Sequence, residues 1–248
     1  MSQNAGRFTG KVAIVTGAAG GIGEAYARAL AAEGASVLVA DVNEAGEKVA
    51  SEIGGCFVRT DVSDEASVRT MADTAIERFG GIDYLVNNAA IFGGMKLDVL
   101  INVDMEYYRR FMSVNMEGAL LCTRACFRSM RERGGGAIVN QSSTAAWQYG
   151  AYYALAKVGV NGLTQQLAHE LGGQGVRVNA IAPGPIDTEA NREVAGDVAH
   201  QIVREKLALK RMGTPQDLVG MCLFLLSDEA SWITGQIFNV DGGEVFRA

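Results

Sequence analysis

Seven short runs of β-branched and aliphatic residues recur along this chain, and longer stretches of helical character separate them. The runs fall at about residues 11–16 (KVAIVT), 36–40 (SVLVA), 56–59, 82–86, 137–141 (AIVNQ), 176–181 (VRVNAI) and 236–240. Strands that are apolar throughout, rather than alternating, are buried on both faces. Separated by helices of ten residues or more, they predict a parallel sheet with helices on either side. The spacing predicts helices from the Gly-rich turn to 33 (capped by Gly34), then over 43–53, 63–79, 105–131, 151–171 and 215–226. Ser63 is expected to open the third of these, with Asp64 and Glu65 in its first turn. No linker, repeat or low-complexity segment interrupts the pattern. The expected architecture is therefore α/β: one doubly wound domain over residues 1–248, with a parallel seven-stranded sheet.

Composition narrows the function. Hydrophobic residues make up 48% of the 248, enough for a substantial core, and glycine is over-represented at 31 against 3 prolines. The net charge of −6 and the lack of a Lys/Arg-rich run argue against a nucleic-acid partner. No apolar run approaches the 18 or so residues of a membrane span. The N-terminal MSQNAGRFTGK has no apolar core of a signal peptide. Cys56, Cys122, Cys126 and Cys222 form no C-x-x-C pair and read as reduced cysteines. The expectation is a cytoplasmic protein. Only His169 and His200 are present, with no H-E-x-x-H, so no metal site is expected.

Thr16 to Gly23 reads TGAAGGIG, directly after one predicted strand and before a helix. Gly17 permits the tight turn, Gly21 lets backbone approach a pyrophosphate, and Gly23 lets helix and strand pack closely. Gly20 adds freedom. The helix N-terminus offers the anion unpaired N–H groups and a partial positive charge. Asp41 ends the second strand 18 residues beyond Gly23, where a carboxylate accepts hydrogen bonds from the adenosine ribose and repels a 2′-phosphate. No Arg or Lys follows it at Val42 or Asn43. The reading is NAD rather than NADP. Asp61, after the third strand, is either a turn residue or an acceptor for the adenine amino group.

Tyr153 and Lys157 are four apart, so they share one helical face. The helix start around them is apolar on all sides (Tyr152, Ala154, Leu155, Ala156, Val158), and a lysine there needs a reason. Six motifs now stand in order: TGAAGGIG, NNAA at 87–90, Asn115, IVNQSS at 138–143, YALAK at 153–157 and PGPIDT at 183–188. With ITGQ at 233–236 and VDGG at 240–243, this order resembles the classical short-chain dehydrogenase/reductase family over nearly the whole chain.

The resemblance implies that Tyr153 exchanges a proton with the substrate oxygen. Lys157 would bind the nicotinamide ribose and lower the Tyr153 pKa, and a serine ending strand five would hydrogen-bond the substrate. Asn115 would bend its helix and hold a water in the proton relay. Thr188 and the backbone of Ile186 would receive the carboxamide. Asn88, Ala89 and Ala90, with Ile22, Val62, Pro183 and Gly184, would line the cofactor. A lysine charge at about 4 Å, at an effective dielectric near 20, is worth roughly 4 kcal/mol. That is about three pKa units, which would bring tyrosine from about 10 towards 7.

Two departures from the family pattern stand out. NNAA replaces the commoner NNAG, and the serine-to-tyrosine loop is short: Ser142 and Ser143 precede Tyr153 by 11 and 10 residues. Strand alignment favours Ser143, with Ser142 left open. Trp147 and Tyr149 in that loop either wall the substrate pocket or pack. The stretch 189–212 carries charges with no clean period and corresponds to the family's substrate lid. The resemblance further implies a homotetramer joined through helices 105–131 and 151–171. The leading expectation is an NAD-dependent oxidoreductase that moves a hydride reversibly between the cofactor and a secondary alcohol or ketone. The alternatives are an NADP-dependent 3-ketoacyl-thioester reductase and a non-catalytic protein that senses NAD.

Overall fold

The computed structural model describes residues 6–96 and 98–247, with the backbone alone at 195, 197, 199 and 200. Of the N-terminal stretch read above, residues 1–5 lie outside this range, and so does the side chain of His200. All seven expected strands are present: β1 (Val12–Thr16), β2 (Ser36–Asp41), β3 (Cys56–Arg59), β4 (Tyr84–Asn87), β5 (Gly136–Gln141), β6 (Val176–Pro183) and β7 (Ile237–Val240). They form one sheet in the order β3-β2-β1-β4-β5-β6-β7, and every neighbouring pair is parallel. The strand order reverses between β1 and β4, so the connections leave a crevice beyond the carboxyl ends of those strands.

Side chains alternate between two buried layers. Ala13, Val15, Val37 and Val39 point to one face, where α1 (Gly21–Ala32), α2 (Gly46–Glu52) and α8 (Pro215–Leu226) bury Tyr26, Leu30, Val49, Leu218 and Leu225. Ile14, Leu38, Leu85 and Ile138 point to the other face. There α3 (Glu65–Phe79), α5 (Gly118–Glu132) and α6 (Ala151–Gly172) bury Met71, Cys126, Met130 and Leu171. Each fully buried aliphatic or aromatic side chain contributes roughly 1.5–3 kcal/mol relative to exposure, so both layers hold the helices to the sheet. All four cysteines are free, and burial pushes the Cys122 thiol up to about 12.

Three expectations are corrected. Asp64, not Ser63, caps α3: its carboxylate accepts from Ala66 N and Ser67 N. Ser63 instead donates its N–H and hydroxyl to Asp61 Oδ1. The second helix begins at Gly46 rather than 43, because Asn43 Oδ1 accepts from Ala45 N and holds a turn first. The long helix expected over 105–131 is divided. α4 (Met105–Met112) passes into a widened π-helical turn (Ser113–Glu117) that carries Asn115, and α5 resumes at Gly118. The stretch left without a period contains α7 (Glu189–Glu205), in which Gly196 has φ 42° and ψ −125°.

One buried charge ties the amino ends of the central strands β1 and β4 together. Asp83 is 3% exposed, accepts from Val12 N at 2.8 Å and pairs with Arg133 at 3.0 Å. Removing one partner of such a pair leaves the rest uncompensated, at a cost of about 3–5 kcal/mol when fully buried. Arg133 is partly exposed, so Asp83→Ala should lower the unfolding free energy by about 3 kcal/mol in urea titration. An unchanged midpoint would contradict this account.

Candidate active site

The Gly-rich turn is built as its residues require. Gly17 has φ 64°, and a Cβ there would lie 2.7 Å from the Ala89 Cα; a Cβ on Gly23 would lie 2.2 Å from the Gly17 carbonyl oxygen. These two glycines allow backbone to touch backbone. Gly20 and Gly21 act differently: they line a cavity, and a Cβ at Gly20 meets nothing within 4 Å. Gly20 is also the N-cap of α1 and gives that helix no side-chain cap. First-turn N–H groups of α1 therefore open towards a space that a side chain would fill, a cradle suited to a phosphate. Thr16 braces the turn from β1, its Oγ1 accepting from Asn88 N and Ala89 N. Asn88 Nδ2 donates to the carbonyls of Thr16 and Gly17.

The cavity measures about 860 Å³ and runs along the carboxyl ends of the strands, within the size range of small-molecule and cofactor sites. Gly17, Gly21 and Ile22 line its middle; Asp41, Asp61 and Val62 line it beyond β2 and β3. Asn88, Ala89 and Ala90 border it beyond β4, and Pro183, Gly184, Ile186 and Thr188 border it at the end of β6. Ser143, Tyr153 and Lys157 stand on the same cavity. Gly23 lies beneath the turn, against Gly17. Asn115 lies on a separate cavity of about 10 Å³, shared with Thr16, Gln141 and Lys157.

The carboxylate of Asp41 is fixed by backbone: Oδ2 accepts from Ala19 N at 2.9 Å and Oδ1 from Asn43 N at 2.9 Å. Asp61 is more heavily engaged, by Ser63 and by the Arg110 guanidinium at 2.9 Å. Hydrogen bonds from Ser63 and Arg110 outweigh its burial, and its pKa is lowered. Thr188 caps α7, its hydroxyl accepting from Asn191 N. Asn115 commits its side chain to one residue: Oδ1 accepts from Ile91 N at 2.6 Å and Nδ2 donates to Ile91 O at 3.0 Å. The widened turn thus pins the loop after β4.

The two serines diverge. Ser142 is buried and donates to Asn161 Oδ1 at 2.6 Å. Ser143 caps the short turn Thr144–Trp147, its hydroxyl accepting from Ala145 N at 3.1 Å, and it lines the same cavity as Tyr153. Tyr153 is flanked by the Phe92 ring, with centroids 5.3 Å apart. Lys157 is 3% exposed, and its amine donates to the Gln141 carbonyl at 2.8 Å. Burial pushes the Tyr153 hydroxyl up to about 12, offset only in part by Ser143. Burial also depresses the Lys157 ammonium to about 8. The expected lowering of the tyrosine pKa by the lysine is therefore not seen here. The amine is aimed at a main-chain carbonyl, and desolvation disfavours both charged forms.

Sequence reasoning placed Thr16 and Gln141 inside motifs without giving either a role, and it missed Phe92. Gln141 Oε1 accepts from the buried Tyr26 hydroxyl. A glutamine inside an apolar strand run, within the IVNQSS motif, was its sequence signal. Among the described residues, no three His, Cys, Asp or Glu side chains gather to hold a metal ion. No helix among them is long and apolar enough to cross a membrane.

Comparisons with known proteins agree with this geometry. A family model described as enoyl-(acyl carrier protein) reductase matches residues 17–244. An uncharacterized oxidoreductase of Mycobacterium tuberculosis is 65% identical over 247 residues, spanning 97% of this chain and 100% of that one. Sorbitol dehydrogenase of Cereibacter sphaeroides is 40% identical over 255 residues, spanning 96% and 98%. Among solved structures, a short-chain type dehydrogenase/reductase of Mycobacterium marinum aligns with a TM-score of 0.87 at 34% identity, over 97% of each chain. With a glycine cradle, a carboxylate-ended second strand and a tyrosine–lysine pair on one cavity, the chain belongs to the classical short-chain dehydrogenase/reductase family, oxidoreductases that use a nicotinamide dinucleotide on small-molecule substrates.

Proposed function

We propose that the protein is an NAD-dependent dehydrogenase that interconverts a secondary alcohol and its ketone. The observation that carries the reading is the cavity itself, with Asp41 at one end and Ser143, Tyr153 and Lys157 on the same wall system. The dinucleotide, when bound, takes up or gives back the hydride of the carbinol carbon. The chain's residues handle the rest. Tyr153 passes a proton to or from the substrate oxygen, and Ser143 hydrogen-bonds that oxygen. Lys157 holds the nicotinamide ribose, while Asn115 keeps the loop after β4 in register and supports the proton relay. The glycine turn takes the pyrophosphate. Ile22, Val62, Asn88, Ala89, Ala90, Pro183 and Gly184 flank the dinucleotide. Asp61 borders the adenine, and Thr188 with the Ile186 backbone receives the carboxamide.

NAD is favoured over NADP because Asp41 is fixed beside the turn and would repel a 2′-phosphate. The same carboxylate weighs against an NADP-dependent thioester reductase. Asp41→Ala should raise the KM for NAD about tenfold, equivalent to about 1.4 kcal/mol. It should also raise the NADP-to-NAD ratio of kcat/KM, both read by absorbance of the reduced nicotinamide. A wild type that already prefers NADP would overturn the assignment. We further take the chain to be one dehydrogenase domain with its lid over 189–212, working in the cytoplasm as a homotetramer. Equilibrium sedimentation tests the last point.

A further inference from the structure

The segment after β7 brings one more acid to the cavity. Asp241 organises it: Oδ1 accepts from Gly243 N at 3.0 Å and Oδ2 from Val245 N at 2.9 Å. Gly242 and Gly243 have φ 65° and 77°, and this return of the chain sets Glu244 on the cavity shared by Ser143 and Tyr153. Two neutral donors hold the carboxylate. Thr144, the residue after Ser143, donates its hydroxyl to Oε2 at 2.7 Å, and Gln148 Nε2 donates to Oε1 at 3.0 Å. Among the described residues no cation pairs with Glu244: the nearby Lys206 amine reaches Gln148 Oε1 instead. A carboxylate offers about four acceptor positions, and only two are used here. A partly buried negative charge with spare acceptor capacity, held by the residue that follows Ser143 and set on the same cavity, is poised for a donor that arrives with the substrate.

We propose, resting on the alcohol dehydrogenase reading above, that Glu244 determines specificity for a polyol: a substrate with a second hydroxyl close to the reacting carbinol. The same charge works against hydroxy acids and phosphate-bearing thioesters by repulsion. A site built to hydrogen-bond a hydroxyl rejects the analogue lacking it far more strongly than an apolar pocket rejects a missing methylene.

The test is a matched panel with saturating NAD: cyclohexanol, the two 1,2-cyclohexanediols, 2-aminocyclohexanol and 2-hydroxycyclohexanecarboxylate, with 2-butanol and 2,3-butanediol as the open-chain pair. In the wild type, a diol should exceed its mono-alcohol at least tenfold in kcat/KM, and the hydroxy acid should be poorest. An amino alcohol that surpassed the diols would overturn the polyol assignment in favour of an ammonium donor. Glu244→Ala should bring the diol-to-mono-alcohol ratio to near one. Glu244→Gln, which keeps the volume, should raise the hydroxy acid relative to the diol. The NADH dissociation constant and melting temperature of each variant separate a folding defect from lost selectivity. If the mono-alcohols are oxidised without any diol preference, or the Ala variant keeps that preference, this proposal fails and the dehydrogenase reading stands. If no alcohol or ketone turns over with either dinucleotide, both fail.

Discussion

Tyr153→Phe will lower kcat roughly 10³-fold, within the range of about 10²–10⁴ expected for a lost general acid/base, while the melting temperature changes little. The change removes one hydroxyl and leaves the ring against Phe92, so binding of the reduced dinucleotide should survive. Retained turnover on any accepted alcohol would sink the mechanism. A hydroxyl held up to about 12 keeps its proton through neutral pH. It is ready to donate to a carbonyl, and wild-type oxidation should climb with pH while reduction falls.

Lys157→Met should separate activity from stability. Turnover should fall at least about 10²-fold, yet the variant should unfold less readily at pH 7. The folded-state ammonium is depressed to about 8 from its usual 10.5, so between those values the unfolded chain binds more protons and stability rises with pH. The penalty for burying the charge is complete below pH 8 and gone above 10.5. It is roughly 3 kcal/mol by the size of the shift. Methionine removes it but leaves the Gln141 carbonyl without its donor, at about 1–3 kcal/mol. The expected net gain is about 1 kcal/mol at pH 7, vanishing or reversing by pH 10.5. Urea titrations at the two pH values measure it, and a variant less stable than wild type at pH 7 would contradict the desolvation account.

The strands were legible because a parallel sheet covered on both faces demands largely apolar runs, which β1 and β2 carry most plainly. The glycine turn was legible because only glycine accommodates the backbone approach at Gly17 and Gly23. Other features leave no such trace. α7 escaped because Gly196 breaks its phase, so its charges follow two short periods instead of one. The interruption at Ser113–Glu117 alters hydrogen bonding without altering amphipathic composition. Ser63 and Asp64 are equally good caps by type, and Asp61 claims the serine first. The partner of Lys157 is a main-chain oxygen, which any residue at 141 would supply. Glu244 is 100 residues from Thr144, and no local pattern links them.

The widened turn between α4 and α5 also makes this helix a ledger of length. A π-helical turn accommodates one residue more than a regular helix does over the same rise. Loss of a single residue near it can be absorbed by reverting to ordinary winding, which keeps Cys122, Cys126 and Met130 in the core layer. The same repair swings Asn115 away from Ile91 and loosens the loop beside the glycine turn. Deletions in this stretch would then tend to be inherited as intact but idle proteins, so the lineage can shed its chemistry here without shedding its architecture.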